Sequence, residues 1–371
     1  MPELTDLLKR SKRNDVASRT GLSSERLEEL AQGADPNMSE LRKLAQHFRL
    51  DVRELLPPGA KEKTADLLFR QTGFATDENT VSTLSRRIGY SMELVAGNAV
   101  AGPWWTGHFR RGEKDYAEAE ANASIFRALF FGGDELGPLL SLPKVAAVHM
   151  GILLFVIKNS KVDGASAFIE GLPFAFVSER FGPRMLFTLA HELGHLVAHH
   201  DPSTSYAVVD AESEHLGSKQ KSNKDEFYAH AFASCLLMPA RGVGIALDKI
   251  RSMQKRVAEE IGDLEILLLS RIYGVSFYVA AKRCEDLGLL PKGGAASLSD
   301  VITKKYGSPE KRAEQAHLPP RPPLEFPRVP EPLLTAALNK IRSGDLSIGR
   351  ASAVLGLSIS DLISANAPST H

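Results

Sequence analysis

Cysteine is nearly absent from this 371-residue chain: Cys235 and Cys284 are the only two, too few for a disulfide framework or for a structural zinc knot built on thiolates. Net charge is missing as well, with 45 Lys plus Arg against 45 Asp plus Glu, so no overall field draws the chain to nucleic acid or to a membrane surface, and any such affinity must be local. Long apolar runs are also lacking. The longest, Val145 to Ile157, is interrupted by His149 and Gly151 and falls short of the roughly 20 residues that span a bilayer; it reads as a buried strand with its approach. The first residues run into Lys9, Arg10, Lys12 and Arg13 without the apolar stretch of a secretory signal. A cytoplasmic protein without a membrane partner is expected.

At 43% hydrophobic and 24% charged, the chain has ample material for a core and is too long for one average domain. Residues 1–58 show short helical patterns at Asn14 to Arg19, Ser23 to Ala31, Ser39 to Phe48 and Val52 to Leu56, an all-helical unit that Pro57, Pro58 and Gly59 bring to an end. Residues 59–114 read as a connecting region, with Trp104 and Trp105 beside Gly102 and Pro103. From Lys114 to Phe131 an Ala/Glu-rich stretch predicts a helix, and β-rich runs follow at Gly151 to Ile157, Ser166 to Ile169 and Phe174 to Val177. Helices are expected at Arg184 to His199 and at Lys224 to Met238, the second closed by Pro239, with a polar stretch between them. A mixed domain over 115–290 results. Residues 291–330 contain a proline-dense run that predicts a semi-rigid linker, and 331–366 a last small helical unit. The fold class is α+β and helix-rich.

The densest chemistry lies at His191-Glu192-Leu193-Gly194-His195, an HExxH pattern. Helical residues four apart stack one turn above each other, so both imidazoles reach one metal ion from one face. Glu192, rotated by about 100°, is placed to act as a base without being a ligand. Gly194 permits close approach of another segment. A catalytic zinc site needs a third protein ligand. Downstream lie Asp210, Glu212, Glu214, Asp225 and Glu226; helical projection favours Glu226, whose stripe carries Ala229, His230, Ala233 and Leu237. Asp201 competes, because His191 to Asp201 has metzincin-like spacing, although Ala198 stands where that motif has glycine. His230 and His199 are candidates for contact with the ligands rather than with the metal.

Leu189 to His195 followed by His199, together with Glu226, Phe232-Ala233 and Leu236-Leu237-Met238-Pro239, resembles the two metal-binding helices of the ImmA/IrrE family of zinc metallopeptidases. Where that family usually has asparagine this chain has His230. The resemblance implies a zincin-like domain with a small β-sheet packed on the HExxH helix, Zn2+ held by His191, His195 and Glu226, and Glu192 as general base. It further implies hydrolysis of peptide bonds in a specific regulatory protein, a repressor or antitoxin, in a stress or mobile-element response.

The helix, glycine turn and polar helix start around Asp15 to Ser23 resemble the XRE-type, lambda-repressor-like helix-turn-helix domain. That likeness implies DNA contacts from Ser23, Ser24, Arg26 and Leu27, with Arg19 on the backbone and a homodimer as an assembly to test. Glu25, Glu28 and Glu29 place opposing charge on the same helix. Ile341 to Ser358 has a similar form, for which protein contact is the competing role. Against the peptidase stands one alternative: a DNA-binding regulator or antitoxin whose peptidase-like domain senses a ligand or metal without turnover.

Overall fold

The computed structural model describes residues 4–32, 34, 36–48, 78–95, 103–132, 134, 136–158, 160, 162–198, 206–211, 224–254 and 260–366. The chain divides into two compact units, one formed by Met1–Gln71, Ala75–Ala96 and Ala337–His371, the other by Thr72–Phe74 and Gly97–Ala336.

The first unit opens with α1 (Leu4–Arg10), α2 (Arg13–Thr20), α3 (Ser24–Ala31) and α4 (Met38–Phe48). Leu8, Val16, Leu27, Leu30, Leu41 and Leu44 make its small core. α2 ends at Gly21, whose φ of 68° gives the left-handed turn and whose N–H returns to the Ala17 carbonyl; Ser23 then caps α3 by accepting from the Arg26 N–H at 3.1 Å. α1 goes beyond the helices expected from sequence, and Val52 to Leu56 and the Pro57–Gly59 boundary lie outside the described residues. α5 (Glu78–Val95) falls in the stretch expected as a connector.

The second unit begins earlier than residue 115. Trp105 is fully buried, donating its indole N–H to the Met150 carbonyl at 2.9 Å, and with Phe109 it joins the main core. Next come α6 (Tyr116–Phe130), capped by Asp115, and α7 (Leu142–Val148). The apolar run at 145–157 is therefore a helix, a turn and a strand, with Gly151 at φ 68° supplying the turn, rather than one strand with its approach. β1 (Leu153–Ile157), β2 (Val162–Ile169), β3 (Leu172–Ser178), α8 (Gly182–Ala198) and β4 (Tyr206–Ala211) follow. The sheet order is β1-β3-β2-β4, with β1 parallel to β3 and β2 antiparallel to both neighbours. β4 lies in the stretch read as a polar connection; its Tyr-Ala-Val-Val start is a β-prone signal that the surrounding Ser, Asp and Glu obscured.

α8 packs on β2 and β3, and α9 (Lys224–Leu237) lies between α8 and α6. That sandwiched position explains why α9 buries Tyr228, Phe232 and Cys235 on one flank as well as Ala229, Ala233 and Leu237 on the other. Pro239 ends α9 and leaves its last carbonyls without helical donors. Two buried arginines supply them: Arg127 donates to the Leu236 carbonyl at 2.7 Å and to that of Leu237 at 3.4 Å, and Arg283 to that of Met238 at 2.7 Å. Cation and helix C-terminus are also electrostatically matched.

The unit continues through α10 (Ala240–Gln254), α11 (Asp263–Ile272) and α12 (Phe277–Asp286). The stretch expected as a linker differs from that reading: α13 (Gly294–Tyr306) and α14 (Pro309–Gln315) occupy it and bury Ala295, Ile302 and Ala313 in the core. The prolines beyond them form a strap, held where Arg321 donates to the carbonyls of Ser270 at 3.0 Å and Val275 at 2.8 Å and where Arg271 reaches the Pro319 carbonyl at 2.8 Å. α15 (Glu331–Arg342), α16 (Ile348–Leu355) and α17 (Ile359–Asn366) close the chain. Gly356, at φ 69°, joins the last two. Among the described residues no single helix is long and apolar enough to cross a membrane.

Candidate metal centre

α8 carries the centre because its periodicity separates two tasks. Leu186, Leu189, Leu193 and Leu196 enter the core, while His191 and His195 emerge one turn apart on the flank that meets α9. Their Nε2 atoms lie 3.0 Å from each other. Glu226, in the first turn of α9, completes the group, with one carboxylate oxygen 3.3 Å from the His191 Nε2 and the other 3.4 Å from the His195 Nε2. Both imidazoles are almost fully buried, and the Glu226 side chain is 33% exposed, so one side of the cluster opens to solvent. Among the described residues this is the one His/Cys/Asp/Glu group with metal-site proximity.

Zinc can be tested against that geometry. Four ligands at about 2.0–2.1 Å in a tetrahedron stand about 3.3 Å apart. The separations here, 3.0 Å between the two Nε2 atoms and 3.3 and 3.4 Å from them to the two oxygens of Glu226, lie near that value, and two imidazoles with one carboxylate are a donor set that zinc accepts with a position left over. The residues fit the ion.

Other parts of the chain hold this arrangement. A Cβ on Gly194 would stand 3.0 Å from the Ala229 Cα and 3.2 Å from Phe232 Cδ1, so glycine lets α9 approach closely enough for Glu226 to reach the histidines. Asp225, next to Glu226 in sequence, is held by Lys114 at 2.7 Å. Of the other carboxylates weighed as third ligand, Asp210 lies on β4 as the register partner of Gly164, whereas Asp201, Glu212 and Glu214 lie outside the described residues. Glu192 has no exposed surface and lies against Gly164 on β2. His230 packs its ring 4.5 Å from that of His191 and stacks at 5.9 Å on Phe187; His199 lies outside the described residues.

Most of the residues expected to contact DNA have structural partners. Ser23 is the α3 cap, Ser24 is exposed in the first turn, and Leu27 is buried in the core instead of facing outward. Arg26 binds the Glu40 carboxylate with two donors, at 2.8 and 3.1 Å, and Glu29 at 2.7 Å; these partners stabilise the charged guanidinium further, and the Arg26 hydrogen bonds in turn hold the Glu40 carboxyl below its ordinary pKa. Arg19 pairs with Asp15 at 3.3 Å, and Arg13 with Glu28.

A small sheet backed by a helix with two imidazoles and a buried carboxylate, faced by a second carboxylate-bearing helix, defines a metallopeptidase-like domain. Residues 150–285 match the family model of the IrrE N-terminal-like domain, a peptidase family, and that match takes in α8 and α9 whole. No curated protein matches the chain. At this level the resemblance seen in the sequence holds for the peptidase region.

Proposed function

We propose that this domain is a zinc-dependent endopeptidase in which His191, His195 and Glu226 hold the ion and Glu192 is the general base. The observation that carries the proposal is the convergence of three donor residues from two helices, their nitrogen and oxygen atoms 3.0–3.4 Å apart, beside a fully buried carboxylate on the adjoining position of α8. When bound, zinc would lower the pKa of a water ligand towards about 7 and polarise a peptide carbonyl. Glu192 takes the proton of the attacking water and passes it to the departing amine, a transfer for which its enclosure by protein is suited because no bulk water competes. His191 and His195, whose Nε2 atoms face each other, would hold the ion through those atoms as neutral imidazoles. His230, stacked on Phe187 and against His191, holds the His191 ring in place.

The substrate in this reading is a protein, a repressor or antitoxin, cut at one or a few sites. For residues 4–48 the ion pairs of Arg26, Arg19 and Arg13 favour docking of a protein over reading of DNA, since binding phosphates would require those cations to leave their carboxylates. A titration of the purified chain with random DNA at several salt concentrations distinguishes the two: docking predicts affinity too weak to measure at physiological salt, and a steep salt slope refutes it.

For the active centre, zinc content and cleavage of co-expressed protein partners are measured in wild type, Glu192→Gln and Glu226→Ala. Glu192→Gln keeps stoichiometric zinc and loses cleavage; Glu226→Ala loses zinc on dialysis. Full proteolysis by Glu192→Gln, or unchanged zinc affinity in Glu226→Ala, removes the assignment.

A further inference from the structure

β2 is irregular at the point where it passes the candidate base. Against β4, Val162 pairs with Ala211 and Gly164 with Asp210, so two steps on β2 answer one step on β4 and Asp163 is the extra residue of a bulge. A bulge re-aims the side chains on either side of it. Here Asp163 is directed at Arg184 in the first turn of α8, at 2.7 Å, with Arg180 at 3.9 Å. The next residue, Gly164, lies against Thr188 and Glu192. Arg184, Thr188 and Glu192 are spaced by four and share one stripe of α8, so the bulge is laid along that stripe and pinned at its N-terminal end by the Asp163–Arg184 pair.

A Cβ on Gly164 would stand 2.2 Å from Glu192 Oε1, 2.6 Å from Thr188 Cγ2 and 3.0 Å from Glu192 Cδ. The first of these is about 1 Å inside ordinary contact. A carboxylate at the surface would swing away at little cost, but Glu192 has no exposed surface and sits on a helix fixed by the sheet on one side and α9 on the other. Gly164 therefore occupies a position in the strand where a side chain would collide with the base.

Resting on the peptidase reading for its functional meaning, we propose that Gly164, held by the Asp163 bulge, is a positioning residue: it forms the seat that sets the depth of the Glu192 carboxylate without touching the metal ligands. Backbone at 164 defines one wall of the carboxylate pocket, and the bulge aligns that wall with the Thr188–Glu192 stripe. A displacement of about 1 Å at a reacting group costs about 100-fold in rate.

The test is a thermal-melting cycle on metal-free protein with wild type, Gly164→Ala, Glu192→Ala and the double variant, plus Gly164→Ala in Thr188→Ser. Gly164→Ala is expected to lower the midpoint by about 4 °C or more. In the Glu192→Ala background at least half of that shift disappears, because the added methyl enters space the carboxylate has left, and Thr188→Ser relieves a smaller part. Equal shifts in the Glu192→Ala and wild-type backgrounds overturn the proposal. Zinc affinity of Gly164→Ala, read by competition with a chromogenic chelator, stays within about threefold of wild type, since the ligands lie on another flank of α8; a loss beyond tenfold also overturns it. Zinc-loaded Gly164→Ala cleaves fluorescein-labelled casein with kcat down about 100-fold and KM unchanged. Failure of the wild type to bind zinc counts against the peptidase reading alone, and, whether or not casein is cut, the melting cycle, run without metal, decides on the seat.

Discussion

Glycine to alanine in two helices of the peptidase unit is expected to have opposite effects. Gly194 in α8 and Gly244 in α10 are both helical, and replacing either by alanine gains about 1 kcal/mol of helix propensity. At Gly244 nothing lies within 4 Å of the new methyl, so the gain is realised and the midpoint rises by about 2–4 °C for a unit of this size. At Gly194 the methyl meets the Ala229 Cα at 3.0 Å, Phe232 Cδ1 at 3.2 Å and the Ala229 carbonyl oxygen at 3.3 Å. Two of those atoms are backbone, so relief requires α9 to withdraw by a few tenths of an ångström. Overpacking of this kind costs about 1–3 kcal/mol, which exceeds the propensity gain and leaves a net loss of about 1 kcal/mol. The withdrawal carries Glu226, three residues before Ala229, away from His191 and His195. Metal sites tolerate only about 0.2 Å in ligand distance, so zinc affinity drops by about tenfold. Differential scanning calorimetry of the metal-free variants and chelator competition of the loaded ones measure both quantities. A Gly194→Ala protein that melts above wild type and binds zinc equally well would refute the claim that helix approach at this residue sets the ligand geometry.

Two further outcomes are expected. Arg127→Met removes the donor from the carbonyls of Leu236, Leu237 and Gly137 while keeping most of the side-chain volume, and it lowers stability by about 3 kcal/mol or more in urea unfolding; a loss under 1 kcal/mol refutes the capping role. Burial raises both thiols, that of Cys284 to about 12, so neither reacts with a disulfide reagent at pH 8 until the chain is unfolded, when two equivalents appear. Above the ordinary thiol value of about 8.5 the unfolded chain has shed these protons while the native one keeps them, so stability falls as pH rises from there towards 12. A stability curve flat over that range contradicts the assignment.

The amino-acid sequence determined what depends on neighbours within a few positions. HExxH on a helical pattern puts two imidazoles one turn apart wherever the helix lies, Pro239 ends α9, and Gly21 and Ser23 mark a helix turn, because each follows from rise per residue, ring closure or a local cap. Segments whose state depends on distant partners were read less well. The proline-dense run is a strap because Arg321 and Arg271 tie it to the core, and the apolar run at 145–157 splits into α7 and β1 because both halves are buried in the core on either side of the Gly151 turn. Helical projection favoured Glu226 as the partner of the histidines, but tertiary structure alone decided that Asp225 turns to Lys114, that Arg26 is drawn to Glu40, and that a bulge sets Gly164 against Glu192. Each of these joins residues on separate elements, and the distance between such residues is set by how helices and strands pack, a quantity that spacing along the chain does not carry.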